Sequence, residues 1–188
     1  MACRGTHIVE IKHSGFQKFK IDILESPDVG LVMVINLLKS ILHNIGVLAA
    51  GFAFALLGSW LDIVFKIFWI QFMDLTVPGA ILLAAGFTLR VWATFDFYQR
   101  KMKVIVLQPQ TSLITTGPYR YSRNPLYLGG NVFIFGGAVL MLGSTCGLIL
   151  TVVNILAVDF MIRREEKQLE KIFGQEFIDY KSRVRRWI

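Results

Sequence analysis

The sequence predicts an all-α, polytopic integral membrane bundle of four to five transmembrane helices, with an amphipathic carboxyl-terminal helix on one membrane face. The first observation is compositional: 54% of the 188 residues are hydrophobic and only 18% are charged, against about 45–50% apolar and roughly 25% charged in soluble domains. The second is the length of the uncharged runs. Residues 124–158 contain no Asp, Glu, Lys, Arg or His, and neither do 44–61 or 75–89. A crossing takes about 20 residues, so the first of these runs holds two crossings joined by a tight hairpin. A soluble fold of this size has no interior large enough for all three. The third is where the excess of basic residues lies. The net charge of +7 is concentrated in 98–125, with five basic residues and no acid, and after Ile162, with eight basic residues. Both clusters flank apolar runs, as the positive-inside bias requires of cytoplasmic segments; nucleic acid is not the expected partner.

Taken in order, residues 1–30 form an amino-terminal extension with none of the basic start, apolar middle and cleavage site of a signal peptide. Residues 31–75 form amino-terminal membrane helices. Within them, 29–43 is apolar but interrupted by Asn36, Lys39, Ser40 and His43, as an interfacial helix or the start of a span, and 44–61 crosses. The stretch 59–75 places Ser59, Asp62, Lys66 and Asp74 on one stripe, which suits a helix lying in the interface or crossing with a polar seam. The remaining residues, 76–188, form the core, with spans at 77–97, 126–142 and 148–162, a loop at 98–125 and a terminal helix at 163–184. Pro78 opens the first of these spans, and Gly-Ser-Thr-Cys-Gly at 143–147 turns the hairpin. Leu169, Ile172, Phe173, Phe177, Tyr180 and Val184 recur at helical steps, with a break expected at Gly174. Either count of spans places the loop and the carboxyl terminus together on the cytoplasmic side, in a bacterial inner membrane or the endoplasmic reticulum.

Chemistry concentrates in TTGPYRYSRNPLYLGG, residues 115–130. Gly117-Pro118 forces a turn. Pro125 takes the first position of a helix, where its missing N–H costs nothing. Arg123 therefore sits at a helix mouth, beside aromatic faces and free backbone N–H groups that suit an anion. Glu165 and Glu166 emerge from the last span into the same aqueous layer. A guanidinium for a carboxylate, a glutamate for an ammonium or hydroxyls, and Tyr127 for a ring together suit a zwitterionic, nucleotide-like cofactor. Arg90 is the one charge inside 77–97; it either snorkels to the interface or faces an acidic substrate. Gly129, Gly136 and Gly143, with Gly130 and Gly137, form a stripe that permits close helix packing or leaves room for a ligand against the backbone. Cys3 and Cys146 have no metal-ligand spacing, and no metal is expected. Dinucleotide-binding, P-loop, zincin and nucleophile-elbow motifs are missing. The sequence carries no signal of oligomeric state.

GFTLR at 86–90, TSLITTGPYRYSRNPLYLGG at 111–130 and RREEKQLEKIFGQEFIDYKSRV at 163–184 resemble the isoprenylcysteine carboxyl methyltransferase family, a branch of the membrane methyltransferases that includes phospholipid N-methyltransferases. The resemblance implies S-adenosylmethionine as cofactor, bound at the cytoplasmic membrane edge, and a lipid-like or prenylated acceptor drawn from the bilayer. The family's Arg-His-Pro-x-Tyr motif falls on Arg123, Asn124, Pro125 and Tyr127, and its paired glutamates on Glu165 and Glu166. Gly117 and Tyr119 line the cofactor by the same analogy, and Arg90 matches an Arg of the acceptor-side helix. The resemblance thus assigns catalytic parts to Arg90, Asn124 and Glu166. Asn124 replaces the motif His; it hydrogen-bonds but moves no proton near neutral pH. A carboxylate acceptor needs no base, whereas an ammonium acceptor must first lose a proton, so the replacement leans toward carboxyl O-methylation over phospholipid N-methylation. A membrane reductase using NADPH shares the carboxyl-terminal pattern but is usually much longer, and a non-enzymatic membrane protein leaves the clustered Arg, Glu and Tyr unexplained.

Overall fold

The computed structural model describes residues 29–67, 74–100 and 112–188. It divides into two compact units, Met1–Ile35 and Asn36–Ile188. Of the first, only the opening of one helix is described, so the expected extension 1–30 lies almost wholly outside the described residues. The second unit holds every site residue named above.

The described elements are helical: α1 (Val29–Phe65), α2 (Thr76–Gln99), a 3-10 turn (Gly117–Arg120), α3 (Pro125–Leu142), α4 (Thr145–Phe173) and α5 (Gln175–Arg183). Four of them, α1 to α4, are long and apolar enough to cross a membrane. The chain is an all-α polytopic membrane protein.

Helix α1 realises the second alternative at its start, where 29–43 opens the span, and differs from expectation at its end. The pieces 29–43 and 44–61 fuse into one helix of 37 residues, because the polar residues at the expected break, Ser40 and Asn44, are buried and bonded to the protein. At 1.5 Å per residue that is about 55 Å, longer than the roughly 30 Å hydrocarbon layer. No single helix covers 59–75. Helix α1 stops at Phe65, and Lys66 takes a left-handed conformation, φ 55°, while the backbone N–H of Ile67 donates to the carbonyl of Asp62 at 3.0 Å. Residues 68–73 lie outside the described residues.

The stripe breaks because Asp62 is drawn inward. Its carboxylate accepts from the backbone N–H of Thr145 at 3.0 Å and of Cys146 at 2.7 Å. Together with Ser144 Oγ, which accepts from Gly147 N at 2.9 Å, it satisfies the first donors of α4, which in an apolar layer have no water to turn to. A carboxylate at a helix amino terminus also suits the macrodipole. Asp62→Ala is therefore expected to destabilise the protein by about 1–2 kcal/mol, the upper part of the range for a lost helix cap, read as a lower melting temperature in detergent. Asp62→Asn should recover only part of the loss, because one amide oxygen replaces two acceptors.

Helices α2 and α3 pack through glycine. A Cβ on Gly79 would meet the carbonyl of Gly137 at 2.7 Å, and one on Gly86 would meet that of Gly129 at 2.6 Å. Of the glycine stripe, Gly129 and Gly137 thus serve backbone approach to α2, whereas a Cβ on Gly136 would meet nothing closer than Thr151 Cγ2 at 4.0 Å. At the same crossing α3 widens into a π-helical stretch, Leu128–Ile134, a local rearrangement frequent at functional sites. There Gly129 and Gly130 lie against the Arg90 side chain, with a Cβ on Gly130 placed 2.7 Å from its Nη1. Helix α4 carries the chain through the predicted span and on without a break through Glu165 and Glu166 to Phe173. The expected break falls at Gly174, φ 52°, and α5 follows with Phe177 and Tyr180 buried.

Candidate functional site

Three clusters meet where α2, the 3-10 turn, the start of α3 and the end of α4 converge. The first is ionic. Arg123 places both Nε and Nη2 on Glu166 Oε1, at 3.0 and 2.8 Å, in a pair whose side chains are 9% and 7% exposed. Its Nη1 donates to the carbonyls of Val184 at 2.7 Å and Lys181 at 3.1 Å. The other oxygen of Glu166 takes Arg186 Nη2 at 2.8 Å, and Arg186 also reaches Asp159 at 3.4 Å. The bond to Glu166 raises the pKa of the Arg186 guanidinium above its ordinary value. Asn124 Nδ2 and Ser122 Oγ both donate to the carbonyl of Arg186, each at 3.2 Å. The loop before α3 and the segment after α5 are thus sewn together around one buried glutamate. Of the predicted site residues, Arg123, Asn124 and Glu166 come together here, with Arg186 as a member that sequence reasoning did not single out. In the sequence Arg186 is one of eight basic residues after Ile162, with no motif to separate it from a membrane flank.

The second cluster is aromatic. Tyr127 donates its hydroxyl to Glu165 Oε1 at 2.9 Å. The Tyr119 ring packs on Phe97, centroids 5.9 Å apart, and belongs to a small core with Ala93, Ile114 and Leu126. Tyr180 of α5 donates to the backbone carbonyl of Tyr119 at 2.7 Å. Burial pushes the Tyr119 and Tyr180 phenols above their ordinary range, so both stay protonated donors. Tyr119 donates its own hydroxyl to no described residue, although Tyr127, Tyr180 and Arg90 all act on it electrostatically.

Gly117 opens the turn beneath Tyr119 with φ +59°, and a Cβ there would collide with Asp96 Oδ2 and come within 3.3 Å of Trp92 Nε1. That Asp96 oxygen is buried with no hydrogen-bond partner among the described residues. Gly117→Ala therefore combines a left-handed penalty of about 1–2 kcal/mol with displacement of a carboxylate. We expect a lower melting temperature in detergent and a weakened Tyr119–Tyr180 contact, read as faster proteolysis at Lys181 and Arg183.

The third cluster surrounds Arg90. It does not snorkel to the interface: the residue is 8% exposed, and its Nε donates to Asn44 Oδ1 at 2.8 Å and its Nη1 to the Leu126 carbonyl at 2.7 Å. Leu126 lies between Pro125, buried at the first position of α3, and Tyr127, so Arg90 reaches the motif through its backbone. No described carboxylate pairs with it, and no described acceptor takes its Nη2. Asn44, Ser40 and Thr94, all fully buried, complete the network. The sequence marked Ser40 only as an interruption in an apolar run. Among the described residues no His, Cys, Asp and Glu gather as a metal-binding group.

The chain is 31% identical over 140 residues to the protein-S-isoprenylcysteine O-methyltransferases of Mus musculus and Homo sapiens, covering 69% of this chain and 48% of each relative. It is 33% identical over 118 residues to the nickel-cobalt-cadmium resistance protein NccN of Alcaligenes xylosoxydans xylosoxydans, covering 62% of this chain and 50% of that protein. The chain thus spans about half the length of these curated relatives. No solved structure matches it. The family model described as phospholipid methyltransferase matches residues 75–176, which covers the α2–α4 helices and the loop that carries Gly117, Tyr119 and Arg123. More than half of the chain falls within that match, and the chain belongs to the phospholipid methyltransferase family.

Proposed function

We propose that the chain is a membrane methyltransferase that uses S-adenosylmethionine to esterify the carboxylate of a lipid-like or prenylated acceptor entering sideways from the bilayer. The observation that carries this reading is Arg90, a buried guanidinium inside an apolar helix with two neutral oxygen partners and no carboxylate among the described residues. An uncompensated cation in such a place is expensive unless an anion completes it.

The donor set fits the methyl donor. Tyr119 and Tyr127 offer ring faces and hydroxyls to a nucleoside, Glu165 offers a carboxylate to an ammonium or to ribose hydroxyls, and Gly117 leaves the backbone open to close approach. Arg123, Asn124, Pro125 and Glu166 would form the frame beside which the donor is held, Arg123 and Glu166 being bonded to each other. When bound, S-adenosylmethionine supplies a methyl group on a sulfonium, ready for in-line displacement.

The work of this chain's residues is to position and to keep water out. Arg90 holds the acceptor carboxylate by charge and through Nη2, its other two nitrogens fixing the plane of the guanidinium on Asn44 and Leu126. The carboxylate arrives ionised, so no proton has to be removed, in keeping with Asn124 where the family motif has His. Asn124 and Glu166 act by holding Arg123 and the 184–188 segment in place. The basic loop and the carboxyl terminus face the cytoplasm on this reading.

Phospholipid N-methylation is the second reading, favoured by the description of the matching family. It needs a base, and Glu166, which already serves two guanidinium groups, is poorly placed to be one.

Detergent-solubilised protein is expected to bind S-adenosylmethionine and not NADPH, and to transfer labelled methyl to N-acetyl-S-farnesyl-cysteine. Transfer to phosphatidylethanolamine vesicles alone would establish the second reading instead. Absence of S-adenosylmethionine binding would overturn both.

A further inference from the structure

The match to the family model begins at residue 75, yet the group that fixes Arg90 comes from α1. Asn44 is wholly buried, and the orientation of its amide is set from both sides. Its Nδ2 donates to the backbone carbonyl of Ser40 at 2.8 Å and to Thr94 Oγ1 at 2.8 Å. A carbonyl only accepts and a guanidinium only donates. With Nδ2 committed to Ser40, Oδ1 must therefore face Arg90 Nε. Thr94 is itself anchored, its hydroxyl lying 2.8 Å from the Arg90 carbonyl and in contact with Ser40 Oγ, and Ser40 Oγ donates to the Val91 carbonyl at 2.8 Å. Two turns of α1 and two of α2 are locked in one register.

The choice of a neutral amide matters. An aspartate of similar size at position 44 would pair with Arg90 and cancel its charge. The amide oxygen orients the guanidinium and leaves the charge in place. The Leu126 carbonyl does the same for Nη1, so both described oxygens that hold Arg90 are uncharged, and Nη2 has no acceptor among the described residues.

We infer that Asn44 is a positioning residue of the acceptor site: it fixes Arg90 with its positive charge unspent, so that the carboxylate of an amphiphilic acceptor completes the pair, and α1 thereby forms part of the site. The inference rests on the acceptor chemistry proposed above and adds what selects it, a cation held by neutral groups between α1, α2 and α3.

The test measures methyl transfer from S-adenosylmethionine to N-acetyl-S-farnesyl-cysteine by the full chain in detergent, with donor affinity determined separately. Asn44→Asp supplies an internal carboxylate that competes for Arg90. It is expected to raise the acceptor KM about tenfold or more, with kcat and donor affinity within about twofold of wild type, the pattern of lost ground-state and transition-state binding alike. Asn44→Ala frees the guanidinium and is expected to lower kcat/KM for the acceptor about tenfold through lost orientation. Thr94→Val, which releases the amide without touching Arg90 side-chain bonds, should follow Asn44→Ala in direction and carries the test with it if the aspartate variant does not fold. An active wild type whose variants keep the acceptor KM and kcat within about twofold overturns the inference and leaves the proposed function standing. Equal losses in donor affinity, acceptor KM and melting temperature also overturn it, since a purely structural contact would act that way. A wild type that transfers no methyl to the probe overturns the proposed function, and this inference with it.

Discussion

Glu166→Ala is expected to cost about 3–5 kcal/mol, the range for removing one partner from a buried ion pair, and to release the segment that follows α5. The reason is arithmetic of charge. Glu166 is 5% exposed and is shared by Arg123 and Arg186. Removing it leaves Arg123, almost as buried, with only the carbonyls of Lys181 and Val184, and leaves Arg186 with only Asp159 at 3.4 Å. Two repelling guanidinium groups then sit where one carboxylate separated them. Residues 181–186 have no deep apolar anchor after Tyr180, so this is the point at which the structure opens. The effect should appear as a much lower melting temperature and rapid trypsin cleavage at Lys181, Arg183 and Arg185. Glu166→Gln keeps the shape and one acceptor and should fall between the two. Wild-type melting and cleavage in the alanine variant would show that the cluster contributes nothing to docking the carboxyl-terminal segment.

Arg90→Lys is expected to lower kcat/KM for a carboxylate acceptor about a hundredfold, equivalent to roughly 2.7 kcal/mol by the tenfold-per-1.36 relation, while S-adenosylmethionine affinity stays near wild type. The charge survives this change, but its geometry does not. The guanidinium reaches Asn44 Oδ1 and the Leu126 carbonyl with separate nitrogens, and its third nitrogen, with no described acceptor, lies fixed in the same plane. An ammonium is a single point whose donors rotate, and on a shorter reach it must give up one neutral oxygen to hold the other. The measurement is a steady-state profile for each substrate separately. A loss confined to the acceptor matches the placement of Arg90 at the acceptor side, and an equal loss for donor and acceptor would refute that placement.

Legibility in the sequence differed between the elements for physical reasons. The spans of α2, α3 and α4 were readable because apolar run length is a local property, and the bilayer imposes it directly. The loop motif was readable because turn residues and a first-position proline act within a few residues of themselves. The ends of α1 were not. Whether Ser40 and Asn44 interrupt a helix or line it depends on Arg90 and Thr94, about fifty residues away. Asp62 read as one of a polar stripe until its carboxylate was found on the backbone of Thr145 and Cys146, more than eighty residues on. Arg186 had no local signature at all, since any basic residue beyond the last span reads as a membrane flank.

By itself the sequence determined that this chain is an all-α membrane protein and where the long apolar helices α2, α3 and α4 run. These follow from hydrophobic length and turn stereochemistry, both short-range along the chain. Only the tertiary structure decided how the charged groups are spent. Arg123 and Glu166 neutralise each other and hold the carboxyl-terminal segment, whereas Arg90 is kept charged between neutral oxygens. Pairing is a matter of distance in space, and burial makes each pairing decisive, because an apolar interior leaves a charged group no water as an alternative partner.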